Sequence, residues 1–242
     1  MTNQSNNQNT QQPSVTAADL LRSRWQHRQQ TLNKRRYKFF VPGAEEVMLE
    51  CYKGVVGDRI RTYEENKEVE DCIRRVGKWL SDPYAPEGLL LAGTPGNGKT
   101  TVVATIKELI AASQLSDPVK LDYHGNPDTA FLKVVSATDL PQLYGSNEAG
   151  YHYLKEVGLL AIDDVGVEPL DYTKFGNVIN PFLDIFYSRY EKKLMTIITT
   201  NLSKEELATR YGERFADRAN EMMYRVGFPF GVTFRHNSYK AK

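Results

Sequence analysis

Gly93-Thr94-Pro95-Gly96-Asn97-Gly98-Lys99-Thr100 fits the pattern G-x-x-x-x-G-K-[ST], and its flanks say what would hold it. Before it runs Gly88–Ala92 (GLLLA), an unbroken apolar stretch of the kind a strand buried on both faces requires. After it, residues 98–112 carry Val102, Val103, Ile106, Leu109 and Ile110 at helical spacing. A glycine-rich turn between a buried strand and a helix curls so that successive N–H groups point inward, at the positive end of the helix. Phosphate oxygens suit such a loop. Lys99 is positioned to reach the β- and γ-phosphates, the Thr100 hydroxyl to ligate Mg²⁺, and Gly93 to Thr101 to supply the wrapping backbone. The expected cofactors are ATP and Mg²⁺.

Working outward, Leu159-Leu-Ala-Ile-Asp163-Asp164 is a second apolar strand that ends in carboxylates, at the end where α/β sheets place ligands. Asp163 is expected to hold Mg²⁺ through water, and Asp164 to orient and polarise an attacking water. Paired acids after a strand also fit a solvated turn; the upstream loop favours the site. Met195-Thr-Ile-Ile-Thr-Thr-Asn201 is a third apolar strand ending in a polar residue. Asn201 there could bond a γ-phosphate or the attacking water, or simply cap the next helix. In Tyr211-Gly-Glu-Arg214-Phe-Ala-Asp-Arg218 two arginines fall at i and i+4 on one helical face. A planar guanidinium donates two parallel hydrogen bonds to a terminal phosphate, although many such pairs only solvate a helix.

The rest of the chain alternates in the same way. Val69, Ile73, Val76 and Leu80 predict a helix over 66–81, stopped by Asp82-Pro83. The polar segment 114–129 reads as a loop or an extra hairpin, Phe131–Val135 as a strand. Phe175, Ile179, Phe182, Phe186 and Tyr190 mark a further helix, and Ser203 with Glu206 forms a capping box that opens another. Alternating strands and helices predict a parallel sheet with helices on both faces, a three-layer α/β/α sandwich. Residues 1–14, rich in Asn and Gln, read as a disordered tail. Residues 15–60 read as a helical basic and aromatic region, and 61–242 as the main domain. From Leu20 to Gly43 there is no acidic residue, and Leu21, Trp25, Arg28 and Leu32 lie on one helical face. Such a stripe can dock in a partner's groove or pack on its own core.

Composition narrows the classes. A net charge of +1 over 242 residues carries no general basic field, so any nucleic-acid contact is local. Two cysteines, Cys51 and Cys72, make no disulfide framework, and four scattered histidines make no zinc spacing. No apolar run approaches the roughly 18 residues of a membrane span and the start is not signal-like, so the expected setting is cytoplasmic.

GTPGNGKT, LLAIDDVG, SRY (188–190) with TIITTNL (196–202), and YGERFADR with the closing VTFRHNSYK (232–240) together resemble the AAA+ ATPases. Among these they resemble the bacterial replicative-helicase loaders of the DnaC type, with the IstB-type transposition ATPases close by. The resemblance covers roughly residues 60–242. It implies a P-loop sheet in the order 5-1-4-3-2 with little or no lid, and self-association through the ATP site. It places the sensor-1 role on Asn201 and a trans-acting arginine finger on Arg218, with Arg214 as second candidate. The sensor-2 position holds Lys240, which keeps the charge but loses bidentate donation. Asp164 stands where the wider family has Glu, one methylene longer, which implies slow hydrolysis. The implied function is ATP-dependent loading of a replicative helicase hexamer onto single-stranded DNA. The alternatives are an IstB-type regulator of transposition and a nucleotide-gated adaptor that scarcely hydrolyses ATP.

Overall fold

The apolar run before the glycine-rich loop forms a strand with a partner on each side. The computed structural model describes residues 16, 19–26, 39–121, 123–174 and 176–235. β1 (Gly88–Ala92) pairs in parallel with β8 (Met195–Thr200) and, on its other edge, with β9 (Met223–Gly227). β5 (Leu159–Val165) lies beyond β8, and β4 (Lys133–Ser136) beyond β5, all parallel. The sheet order β4-β5-β8-β1-β9, counted along the chain and read from β9, is the expected 5-1-4-3-2.

Alternation along each strand then builds two cores. Leu89 and Leu91 face a cluster with α2 (Ala44–Asp58), α3 (Lys67–Ser81) and α4 (Lys99–Ser113). Leu90, Leu160, Ile162 and Ile198 face the opposite cluster. That cluster is filled by α5 (Leu140–Ser146), α6 (Glu148–Glu156), α7 (Pro181–Lys192), α8 (Lys204–Tyr211) and α9 (Glu213–Met222). The result is the expected three-layer α/β/α sandwich.

Several boundaries differ from expectation for local reasons. The strand expected at Phe131–Val135 begins at Lys133, with Phe131 half exposed and Leu132 buried beneath the sheet edge. Segment 114–129 is a hairpin of β2 (Ser116–Leu121) and β3 (Pro127–Thr129). The helix expected to include Phe175 and Ile179 starts only at Pro181, because Asn180 caps it by accepting from Leu183 N. Ile179 instead sits in β7 (Asn177–Ile179), paired with β6 (Tyr172–Lys174), and Phe175 lies outside the described residues. The capping box at Ser203 forms as expected.

One buried charge ties elements together. Arg189 on α7 is fully buried, and its guanidinium donates to Thr196 Oγ1 (2.8 Å), Leu154 O (2.8 Å), Val157 O (2.7 Å) and Met195 O (2.7 Å). Burial holds its pKa below the ordinary value, against the pull of the Glu156 carboxylate at the end of α6.

The chain divides into the units Met1–Arg35 and Arg36–Lys242. In the first, residues 19–26 are helical (α1), with Leu20, Leu21 and Trp25 exposed. Arg28, Leu32 and the tail 1–14 lie outside the described residues. Residues 39–60, grouped with the N-terminal region by sequence, lie in the second unit, where Met48 and Tyr52 of α2 are core residues. Among the described residues no helix is long and apolar enough to cross a membrane.

Candidate functional site

The loop between β1 and α4 lies at the C-terminal edge of the sheet and opens into a cleft of about 810 Å³. Two of its glycines are required by what touches them. A Cβ on Gly96 (φ 86°) would meet Thr233 Oγ1 at 2.3 Å, and one on Gly98 (φ 96°) would meet the Tyr52 hydroxyl at 2.4 Å. The turn is thus clamped by the C-terminal segment on one side and by α2 on the other. Gly98 leads directly into α4, so the unpaired N–H groups of its first turn face the cleft.

Lys99 is held in the loop by four acceptors. Its Nζ donates to Gly93 O (2.7 Å), Thr94 O (2.9 Å), Asn97 Oδ1 (3.1 Å) and Asn201 Oδ1 (2.9 Å). Burial pushes its pKa down to about 8 against the pull of the Asp164 and Asp163 carboxylates, and Arg235 adds to the lowering. A phosphate would restore the charge balance. Among the described residues, Thr94 Oγ1 and the Asn97 amide nitrogen are buried without a hydrogen-bond partner, two donors in reserve within the same loop.

The carboxylates come from a bulge. Ile162 faces Ile198 and Val165 faces Thr200, so β5 advances one residue further than β8 across Asp163 and Asp164. Asp164 takes φ 57°, a left-handed conformation that a short polar side chain tolerates. Its N–H donates to Thr199 Oγ1 (2.8 Å), whose hydroxyl donates to Asp163 Oδ1 (2.5 Å). Asp163 Oδ1 also accepts from Thr100 Oγ1 at 3.2 Å. Two oxygens so close, at the mouth of a phosphate loop, fit a small hard cation that keeps several waters. Asp164 lines the cleft. Asn201 bonds Lys99, and the capping role belongs to Ser203.

The other expected residues lie elsewhere. Arg214 and Arg218 are on α9 and do not line the cleft. The Arg218 guanidinium lies 5.0 Å from the Tyr187 ring centre, 4.7 Å from that of Tyr190, and 3.2 Å from Glu191 Oε1; Arg214 stacks on Tyr187 at 5.0 Å. Lys240 lies outside the described residues. Instead, Phe234 N donates to Gly96 O (2.9 Å) and brings Arg235 into the cleft. From the opposite side, Arg59 at the end of α2 donates to Thr101 Oγ1 (2.8 Å), with Arg61 and Tyr63 on the same wall. Tyr52, Arg59 and Arg235 were not singled out by sequence. Arg235 stood inside the closing motif, whereas Tyr52 and Arg59 carry no local signal.

No protein-family model matches the sequence, and no curated protein is significantly similar to it. Solved structures are similar. A DnaC helicase loader superposes with a TM-score of 0.54 at 22% identity, over 74% of this chain and 98% of that one. DnaI gives 0.52 at 20% identity, over 74% and 93%. A putative primosome component from Streptococcus pyogenes gives 0.52 at 15%, over 68% and 81%. With the sheet order and the loop already described, the chain has the fold of the DnaC-type AAA+ proteins.

Proposed function

We propose that the protein is an ATPase of DNA replication that loads a replicative helicase hexamer onto single-stranded DNA. The observation that carries this reading is the meeting of Lys99, Thr100, Asp163 and Asn201 at one sheet edge of a loader-type fold. Lys99 would exchange its carbonyl acceptors for β- and γ-phosphate oxygens, and Asn201 would be freed toward the terminal phosphate. Thr100 and Asp163 would hold Mg²⁺, which neutralises charge developing on the phosphate oxygens. Asp164 would orient a water and accept its proton, and its short side chain accords with slow turnover. Arg59 and Arg235 flank the nucleotide within the chain. Arg218, with Arg214 beside it, would complete a neighbour's site, so that self-association and hydrolysis go together. The exposed Leu20, Leu21 and Trp25 supply the apolar contact with the helicase.

The test is ATP-dependent transfer of a purified hexameric helicase onto circular single-stranded DNA. Lys99→Ala removes a charge-assisted contact of about 1.5–3 kcal/mol, so ATP should bind roughly 10–100-fold more weakly and transfer should stop. Unchanged ATP affinity in that variant would reject the loop assignment. ATP-dependent assembly on duplex DNA that stimulates a transposase, with no effect on the helicase, would replace the loader by the transposition regulator.

A further inference from the structure

Glu168 is a carboxylate 1% exposed, four residues after Asp164, and nothing in the proposed chemistry uses it. A carboxylate that only filled space would be replaced favourably by an apolar side chain, because burying it requires donors to offset lost hydration. The donors it has come from two different parts of the molecule. Oε2 accepts from Gly166 N at 2.8 Å, in the turn that leaves Asp163 and Asp164. Oε1 accepts from the Tyr211 hydroxyl, at the last residue of α8, and the Glu168 carbonyl accepts from Arg210 next to it.

Both ends of this link are tightly defined. Gly166 has φ 113° and lies where a Cβ would meet Leu202 Cδ1 at 2.6 Å; Val165 O accepts from Thr200 Oγ1 (2.6 Å), beside Asn201. At the other end the Tyr211 ring packs against Phe215 with centres 5.1 Å apart. Between them lies Gly212 (φ 87°), the joint from α8 to α9, and Phe215 is the neighbour of Arg214 on the helix that also carries Arg218. Burial, then the Glu168 hydrogen bond, push the Tyr211 hydroxyl's pKa upward, so it stays a donor.

We infer that Glu168 is a positioning residue that couples the Asp163–Asp164 turn of one protomer to the arginine helix it presents to the next. It touches no nucleotide. Its carboxylate fixes the α8–α9 joint relative to the turn, so a shift of the turn moves Arg214 and Arg218. The inference rests on the reading of Arg218 as acting in trans.

The test mixes full-length variants so that only one interface is active. An Arg218→Ala protomer keeps its own Asp164 and hydrolyses, while an Asp164→Asn protomer only donates Arg218. Glu168→Gln is then added to the donor alone. Gln keeps the shape and an acceptor for Gly166 N but replaces the second acceptor by a donor. The expected result is at least threefold less turnover than with the plain Asp164→Asn donor, with the donor's ATP affinity and Tm unchanged. Tyr211→Phe in the donor should lower turnover in the same way, with some fall in Tm because the buried Glu168 carboxylate loses a donor. The double variant should turn over no more slowly than either, the non-additivity of a shared contact. Undiminished turnover with the Glu168→Gln donor would overturn the relay while leaving trans catalysis intact. A loss accompanied by an equal fall in ATP affinity and Tm would reduce Glu168 to a structural role. Absence of turnover in the Arg218→Ala and Asp164→Asn mixture itself would reject the trans reading, and the relay with it.

Discussion

Lys99 shows how a residue's surroundings set what can be measured. Its pKa is pushed down to about 8 by burial, and two phosphates in the loop would raise it again. Below that pH the lysine is charged whether or not nucleotide is bound, so ATP affinity should be flat. Above it, binding must take up a proton, and Kd should rise by up to about tenfold per pH unit. Titration with a fluorescent ATP analogue between pH 7 and 9.5 checks this; an affinity flat across the range would contradict the lysine's placement. The two acids should separate in the same assay. Asp164→Asn keeps Mg²⁺–ATP binding and loses hydrolysis, because an amide cannot take a proton from water. Asp163→Asn weakens Mg²⁺-dependent binding as well, since the amide keeps an acceptor for Thr100 and Thr199 but loses the negative charge a cation needs. The loop and the acids were legible in sequence because their constraint is local: a strand, a turn and a helix within one short stretch. Arg59 and Arg235 were not, because each reaches the cleft through contacts distant in sequence, Arg59 to Thr101 and Phe234 to Gly96.

Elements were legible where one face decides them and misread where a breaker overrides the pattern. The α3 stripe of Val69, Ile73, Val76 and Leu80 is buried as its spacing predicts. The spacing from Phe175 to Tyr190 looked equally helical, but Asn180-Pro181 starts the helix and leaves Ile179 in a hairpin. Arg189, in the last turn of α7, gave no sign in sequence that it would be buried. It joins α7 to the end of α6 and to the first residues of β8. Arg189→Lys keeps the charge but cannot span those carbonyls, so unfolding in urea should show a loss of about 3 kcal/mol. A variant within experimental error of the parent would mean that water replaces the guanidinium. The position of α2 gives a second outcome at this scale. Removing residues 1–60 would strip Met48 and Tyr52 from the core and Arg59 from the cleft. Removing residues 1–35 follows the division between the two units. The shorter deletion should therefore retain the parental Tm and ATP affinity while losing helicase capture; capture that persists would move the partner site into the larger unit.

At the scale of the assembly, the proposed hydrolysis would draw on an arginine from outside the cleft. The loop, Asp163, Asp164, Asn201 and Arg235 gather at one sheet edge, whereas Arg214 and Arg218 stack on Tyr187 at α7, outside the cleft. The Arg218 side chain is 19% exposed, stacked on Tyr187 and Tyr190 and paired with Glu191, which is 66% exposed, so the ion-pair partner that a phosphate from another copy would displace is a solvated carboxylate. Positive charge on the equatorial oxygens of the transferred phosphoryl group, supplied by an arginine in trans, is worth about 10³–10⁵ in rate where it has been measured. Arg218→Ala should then bind ATP with parental affinity and hydrolyse it poorly, at any protein concentration. The parental protein should show specific activity that rises with concentration, as occupied interfaces accumulate, and rises further when single-stranded DNA or the helicase gathers the copies. Mixing Arg218→Ala with Asp164→Asn should restore turnover, since one interface in the mixture pairs an intact Asp164 with an intact Arg218. The recovered rate should peak near equal amounts and vanish on dilution. Activity independent of concentration, with no recovery on mixing, would instead place the arginine's effect within its own chain, and hydrolysis would need no neighbour.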